Sequence, residues 1–248
     1  MLEIAIDSTP ADRALAERIR TRLREAGHRV SGAAASAEVL VLLPGSWNRD
    51  GRRGPEILLP RGLRHVVDVS FVGTSPRLLP GMTAAMGVGS TSIRIPLDDR
   101  SVLDLVGDDR IIRVPAADWP VAVVAQSDVA NAVAAVAAAP EGYDGRELLL
   151  TGPTAYGFAD IAELLTAASG AWSAYYPQTP AEAAASRRHA GMSAQRIAAE
   201  LAVFDAVREG AMSHPADDLA ALLGHEPTDL WEALQESGIA PSRAVQAA

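Results

Sequence analysis

The chain contains no cysteine and no lysine. The first absence excludes disulfides, thiolate nucleophiles and zinc–thiolate sites. The second makes all 22 basic residues arginine, so no side-chain Schiff base, no P-loop lysine and no Tyr-x-x-x-Lys pair can exist. Aromatic residues are only 4% of the 248, which makes each tryptophan and tyrosine conspicuous. No stretch approaches the roughly 18 consecutive apolar residues of a membrane span. The first residues hold no basic region followed by an apolar run, so no signal peptide is expected and the expected location is cytoplasmic. Positive charge is also short: the net charge is −9 and the pI is near 5.0. Phosphate backbones require a basic face, so nucleic acid is not expected as a partner, and the acidity serves solubility. The histidines at 28, 65, 189, 214 and 225 show no ligand spacing, so no metal site is expected. No Gly-x-Ser-x-Gly elbow is present.

What is there is an apolar content of 48% arranged as strands alternating with helices, which predicts a doubly wound, mainly parallel α/β sheet. Strands are expected at 2–6, 28–30, 38–43, 65–70, 91–96 and 147–152, and 110–115 and 121–126 read as strands or as a hairpin joined by "AADW". Leu15, Ile19 and Leu23 recur at helical spacing within 12–26, with Gly27 as the stop. Asp128 is expected to cap a helix to Ala138, Phe158 to Ser169 reads as a helix stopped by Gly170, and 55–62 as a short helix. Helices are also expected at 181–190, 193–212, 215–223 and 227–237, with a frayed tail.

Between the first strand and first helix stands "DSTPAD" (Asp7 to Asp12), where a dinucleotide-binding fold carries a glycine-rich turn. Those glycines permit a tight turn and let the backbone approach the pyrophosphate. Here Asp7 and Asp12 place negative charge at that position. Only "SGAAASA" separates Val30 from Glu38, leaving no room for another helix and strand. "GVGSTS" (Gly87 to Ser92) contains Gly-x-Gly but precedes a strand, so it is a weak phosphate-loop signal.

Several segments together resemble the atypical short-chain dehydrogenase/reductases, in particular the NmrA-like NAD(P)-binding proteins. The best match is "QSDVANAVAAVAAAPEGYDGRELLLTGPTAYGFADIAELLTAASG" (Gln126 to Gly170). "LRHVVDVSFVG" (from Leu63) is similar to the family's strand ending in a serine, and "AAMGVGSTSIRIPL" (from Ala84) to its Gly-x-x-x-Thr-x-x-Arg-Pro strand. "VFDAVREGAMS" followed by "LLGHEPTDLWEAL" resembles its last helices. The resemblance implies a Rossmann-like domain over 1–170, shortened on its nucleotide side, with a helical cap region over 171–248 packed on the same domain.

Ligands of such sheets sit beyond the carboxyl ends of the strands, so candidate residues lie at Asp7-Ser8-Thr9, 44–47, 70–73 and 96–99. Ser70 matches the family serine that orients a substrate carbonyl, or else caps a turn. Asp68, between valines, needs a partner or a raised pKa if its strand is buried, and is then either a general acid/base or a structural carboxylate. Asp7 is a ligand contact or an Asx-turn residue. Trp47, Trp119, Tyr175, Tyr176 and Asp98 are candidate substrate-binding residues, with loop packing as the alternative for the aromatics.

The degenerate loop and the shortened segment together predict that no cofactor is bound. On that reading the chain is a redox-neutral cyclase, isomerase or lyase acting through Asp7, Asp68 and Ser70, within specialised metabolite biosynthesis. Two alternatives stand: an NADPH-dependent reductase of small carbonyl or quinone compounds, and a non-catalytic NmrA-like sensor. A small-molecule substrate is the expected partner, and a homodimer stays open.

Overall fold

The computed structural model describes residues 1–31, 36–44, 62–74 and 80–237. In chain order the elements are β1 (Glu3–Asp7), α1 (Arg13–Glu25), β2 (Arg29–Ser31), β3 (Val39–Leu42), β4 (His65–Phe71), α2 (Pro80–Ala85), β5 (Gly89–Ile95), α3 (Asp99–Asp104) and β6 (Ile111–Val114). They continue with α4 (Gln126–Ala138), a 3-10 turn (Pro140–Tyr143), β7 (Glu147–Leu149), α5 (Phe158–Ser169), β8 (Ala174–Pro177), α6 (Pro180–His189), α7 (Ala194–Arg208), α8 (Asp218–Leu223) and α9 (Leu230–Glu236). They form two compact units. One comprises Met1–Ile95, Gln126–Leu150 and Asp217–His225; the other comprises Pro96–Ala125, Thr151–Ala216 and the chain from Glu226.

The first unit is built on a six-stranded sheet in the order β2-β1-β3-β4-β5-β7, parallel throughout. Side chains alternate between its faces. Ile4, Ile6, Val39, Val41, Val67, Val69 and Ile93 share one face and are buried. α1 and α4 pack on each other, and α4 lies against β3 and β4. α1 contributes Leu15, Ile19 and Leu23, the periodicity read from the sequence, and ends where Gly27 takes φ +81°. Ala5, Leu40, Leu42 and Val66 face the other way and cluster with Ala37, Leu63 and Val88. On that face the Thr83 hydroxyl of α2 donates to Ser90 of β5 at 3.1 Å. Helices on both faces of a parallel sheet make this a doubly wound, Rossmann-like unit. β2 and β3 flank β1 and both run parallel to it, with only residues 32–38 joining them.

In the second unit β6 and β8 form a two-stranded parallel sheet. Its core centres on Phe158, whose ring lies 5.6 Å from Tyr175 and 6.2 Å from Phe204.

Several expectations change. The apolar stretch 121–126 is buried but pairs only through isolated bridges, Asp98 with Val124 and Val121 with Tyr156. Its backbone is crowded by a neighbour that must be glycine: a Cβ on Gly152 would stand 2.1 Å from the Val123 carbonyl oxygen. α4 begins at Gln126, which puts Asp128 inside its first turn rather than at its cap. β7 ends at Leu149, and β8 follows as a further strand. α7 stops at Arg208. The helix expected at 55–62 lies outside the described residues, apart from Gly62.

Candidate functional site

In an open parallel sheet the ligand crevice opens where the strand order reverses. Here the chain leaves β1 for β2 on one side and returns to β3 on the other, so the crevice belongs at the carboxyl ends of β1 and β3. Asp7 ends β1 and is exposed. The turn after it is closed by Asp12. The Thr9 amide and hydroxyl donate to Asp12 Oδ2 at 3.1 and 2.9 Å, and the Asp12 amide donates to the Thr9 carbonyl at 3.1 Å. Asp12 occupies the N-cap position of α1, yet its carboxylate makes no capping bond there, and no acidic residue stands in the first turn. The partial positive charge of the helix end is therefore not neutralised by the usual carboxylate cap. Of the two carboxylates in "DSTPAD", Asp12 is hydrogen-bonded to Thr9 and Asp7 stays exposed.

Register builds the adjoining part of the site. Asp7, Leu42, Asp68 and Ser92 are successive Cα partners across β1, β3, β4 and β5, so they share a row and a face. One row further toward the carboxyl edge, Ser70 pairs with Arg94. Asp68 and Ser70 are 4% and 2% exposed. Arg94 Nη1 donates to Ser70 Oγ at 2.7 Å and Nη2 to the Thr74 carbonyl at 2.6 Å. Both acceptors are neutral, and among the described residues no carboxylate pairs with this guanidinium. A partly buried arginine without a counter-ion is a ready partner for an anion or for charge developing on a carbonyl oxygen. Ser92, opposite Asp68, has a buried hydroxyl with no hydrogen-bond partner among the described residues.

Sequence reasoning did not single out Arg94 as a site residue. Its signal was a cation inside the otherwise apolar and hydroxylated run "TSIRIP", and only strand register puts it beside Ser70, which lies 24 positions earlier.

Of the other candidates, Trp47 lies outside the described residues. The rest belong to the second unit. Asp98 caps α3, accepting from the Ser101 amide at 2.6 Å. Tyr175 donates its hydroxyl to the Ala117 carbonyl at 2.9 Å, and burial, with Asp118 nearby, pushes its pKa up to about 12. Ala117 holds φ +51°, a conformation L-residues rarely adopt, so this loop is conformationally costly. Trp119 follows on the same loop, 46% exposed, close to Gly210, where a Cβ would come within 3.2 Å of its ring. Tyr176 is 55% exposed. The structure thus brings Tyr175 and the Trp119 loop together. Tyr156, not singled out beforehand, donates to both carboxylate oxygens of Asp229 at 3.0 Å, and its pKa is raised, first by burial and then by that carboxylate.

No protein-family model and no curated protein matches the chain. Solved structures do. The chain is similar to the NADPH-dependent quinone oxidoreductase of Escherichia coli complexed with NADPH, at 19% identity and a TM-score of 0.71, covering 95% of this chain and 99% of that one. It is similar to Citrobacter sp. triphenylmethane reductase complexed with NADP(H), at 18% identity and 0.68, covering 95% and 99%. It is also similar to the negative transcriptional regulator NmrA in complex with NAD, at 13% identity and 0.61, covering 95% and 94%. These likenesses overturn the expectation that no cofactor is used. The fold is shared from end to end with proteins solved holding nicotinamide dinucleotides.

Proposed function

We propose that this chain, which has the fold of the NmrA-like atypical short-chain dehydrogenase/reductases, binds a nicotinamide dinucleotide, NADPH for preference, and reduces small carbonyl or quinone compounds. The likeness to the NADPH-bound quinone oxidoreductase over 95% of the chain carries this reading. The residues fit the group in a specific way. The end of α1, where the Asp12 side chain makes no capping bond, suits the pyrophosphate; Thr9 and Asp12 hold that turn in shape. When bound, the dinucleotide supplies a hydride equivalent. Arg94 supplies positive charge at the carboxyl edge of β5, where a reduced carbonyl oxygen would gain negative charge. Ser70 and the Thr74 carbonyl hold the guanidinium in that position. With no lysine in the chain, a Tyr–Lys proton donor is excluded.

A second reading, a nucleotide-responsive binding protein without turnover, draws support from the engaged hydroxyls: Ser70 is buried, and Tyr156 and Tyr175 donate to Asp229 and to Ala117. Calorimetric titration with NADPH, NADP⁺, NADH and NAD⁺ tests the shared premise. Micromolar, saturable binding with a preference for the phosphorylated forms is expected, and no binding up to millimolar overturns both readings. Steady loss of reduced-nicotinamide absorbance with a quinone panel then separates reductase from sensor.

A further inference from the structure

The amino edge of the same sheet, opposite the carboxyl ends discussed above, holds a cleft of about 190 Å³ lined in part by Glu38, Arg64, His65, Gly89, Glu141 and Asp144. His65, the first residue of β4, is 4% exposed. Its Nε2 lies 2.8 Å from Thr91 Oγ1. That hydroxyl gives its single proton to the Tyr143 carbonyl at 2.9 Å, so it accepts from the imidazole, and Nε2 carries the hydrogen. In the neutral ring Nδ1 is then a bare acceptor. Among the described residues nothing donates to it. Its polar neighbour is another acceptor, Asp144 Oδ1 at 4.0 Å, which itself takes the Ser90 amide at 2.8 Å.

Two acceptors face one gap, and Gly89 keeps the gap open: a Cβ there would stand 2.6 Å from Nδ1 and 2.8 Å from Asp144 Oδ1. An atom placed about 2.8 Å from both would subtend roughly 90°, about 20° narrower than the angle between two hydrogens on one nitrogen and within the bend that hydrogen bonds tolerate. At the rim Arg64 pairs with Glu38 at 3.6 Å and Glu141 at 3.1 Å. The cleft is thus lined by three carboxylates, Glu38, Glu141 and Asp144, against the single guanidinium of Arg64, and it favours positive charge. At about 190 Å³ the cleft is below the roughly 300–1,000 Å³ of ordinary ligand pockets and suits a small occupant.

We infer that this cleft is a binding site for a small primary ammonium group, either the ammonium ion or a short alkylamine, held between His65 Nδ1 and the Asp144 carboxylate. It is separate from the proposed dinucleotide site and does not depend on it.

The test is nitrogen NMR of the imidazole in the full chain, at mildly alkaline pH and constant ionic strength. Ammonium chloride, ethylammonium chloride and tetramethylammonium chloride are titrated in turn. The expected result is a saturable shift of the His65 Nδ1 resonance with ammonium, ethylammonium or both, and none with tetramethylammonium, which cannot donate. Whichever of the two binds more tightly identifies the natural class. Asp144→Asn keeps an acceptor for the Ser90 amide and should weaken binding about tenfold by removing the charge. Gly89→Ala should abolish the shift; if that variant fails to fold, the Asp144→Asn result alone decides. Equal shifts with tetramethylammonium, or no saturable shift with any cation, would mean that the cleft holds water only, and the inference falls.

Discussion

Arg94 is the side chain on which the carboxyl edge of the sheet turns. It holds Ser70 and the Thr74 carbonyl at once, so its removal strips two acceptors of a charged donor. Arg94→Ala should cost about 2 kcal/mol, read as a lower urea midpoint. Arg94→Lys keeps the charge but not the fork that spans both acceptors, and should recover only part of that loss. A variant as stable as the wild type would show that the pair contributes nothing. Asp7 tests the opposite charge. It is exposed at the end of β1, beside the place proposed for the pyrophosphate. Asp7→Asn should tighten NADPH binding about fivefold at low salt, the scale of one charge pair near the surface, and the gain should shrink as salt is added. Weaker binding in calorimetry would mean that Asp7 contacts the ligand favourably.

Among the elements, β7 is short and depends on a helix far along the chain: the Leu149 amide donates to Asp218 Oδ2 at 2.9 Å, and α8 packs on β7 and α4. Asp218→Ala should cost about 1–2 kcal/mol and speed amide exchange in β7 before it does so in β3 or β4. The longer regular elements were legible in the sequence. The spacing of Leu15, Ile19 and Leu23 and the Phe158–Ser169 helix with Gly170 behind it stand as read, and the runs at 38–43 and 65–70 are strands to within a residue at their ends. What escaped was short or non-local. Six residues cannot show a helical period, so α2 and α3 were invisible. The apolar run at 121–126 reads as strand because burial and strand pairing leave the same sequence pattern. The pairing of Ser70 with Arg94 exists only through the β4–β5 register. The turn "DSTPAD" was legible as glycine-free, but the direction of the Asp12 carboxylate was not.

For the whole molecule, acid should be destabilising in a definable window. Burial holds the His65 pKa below its ordinary value of 6.5, although Asp144 and Glu141 pull it upward. The unfolded chain therefore binds this proton first. Stability is full above about pH 6.5 and is lost as pH falls through the lowered folded value. His65→Gln, which can still donate to Thr91, should flatten that part of a urea-midpoint series, and an unchanged slope would assign the acid sensitivity to other groups. Each compact unit is assembled from three separate stretches, and the chain passes from one to the other at residues 95, 125, 150, 216 and 225. No single cut can liberate either unit. A chain ended at Leu150 would lack Asp217–His225, and with it the carboxylate that anchors β7. Ribosomal synthesis meets the same constraint: the unit with the six-stranded sheet lacks its last piece until Asp217–His225 has been made, so that unit cannot complete its folding before then.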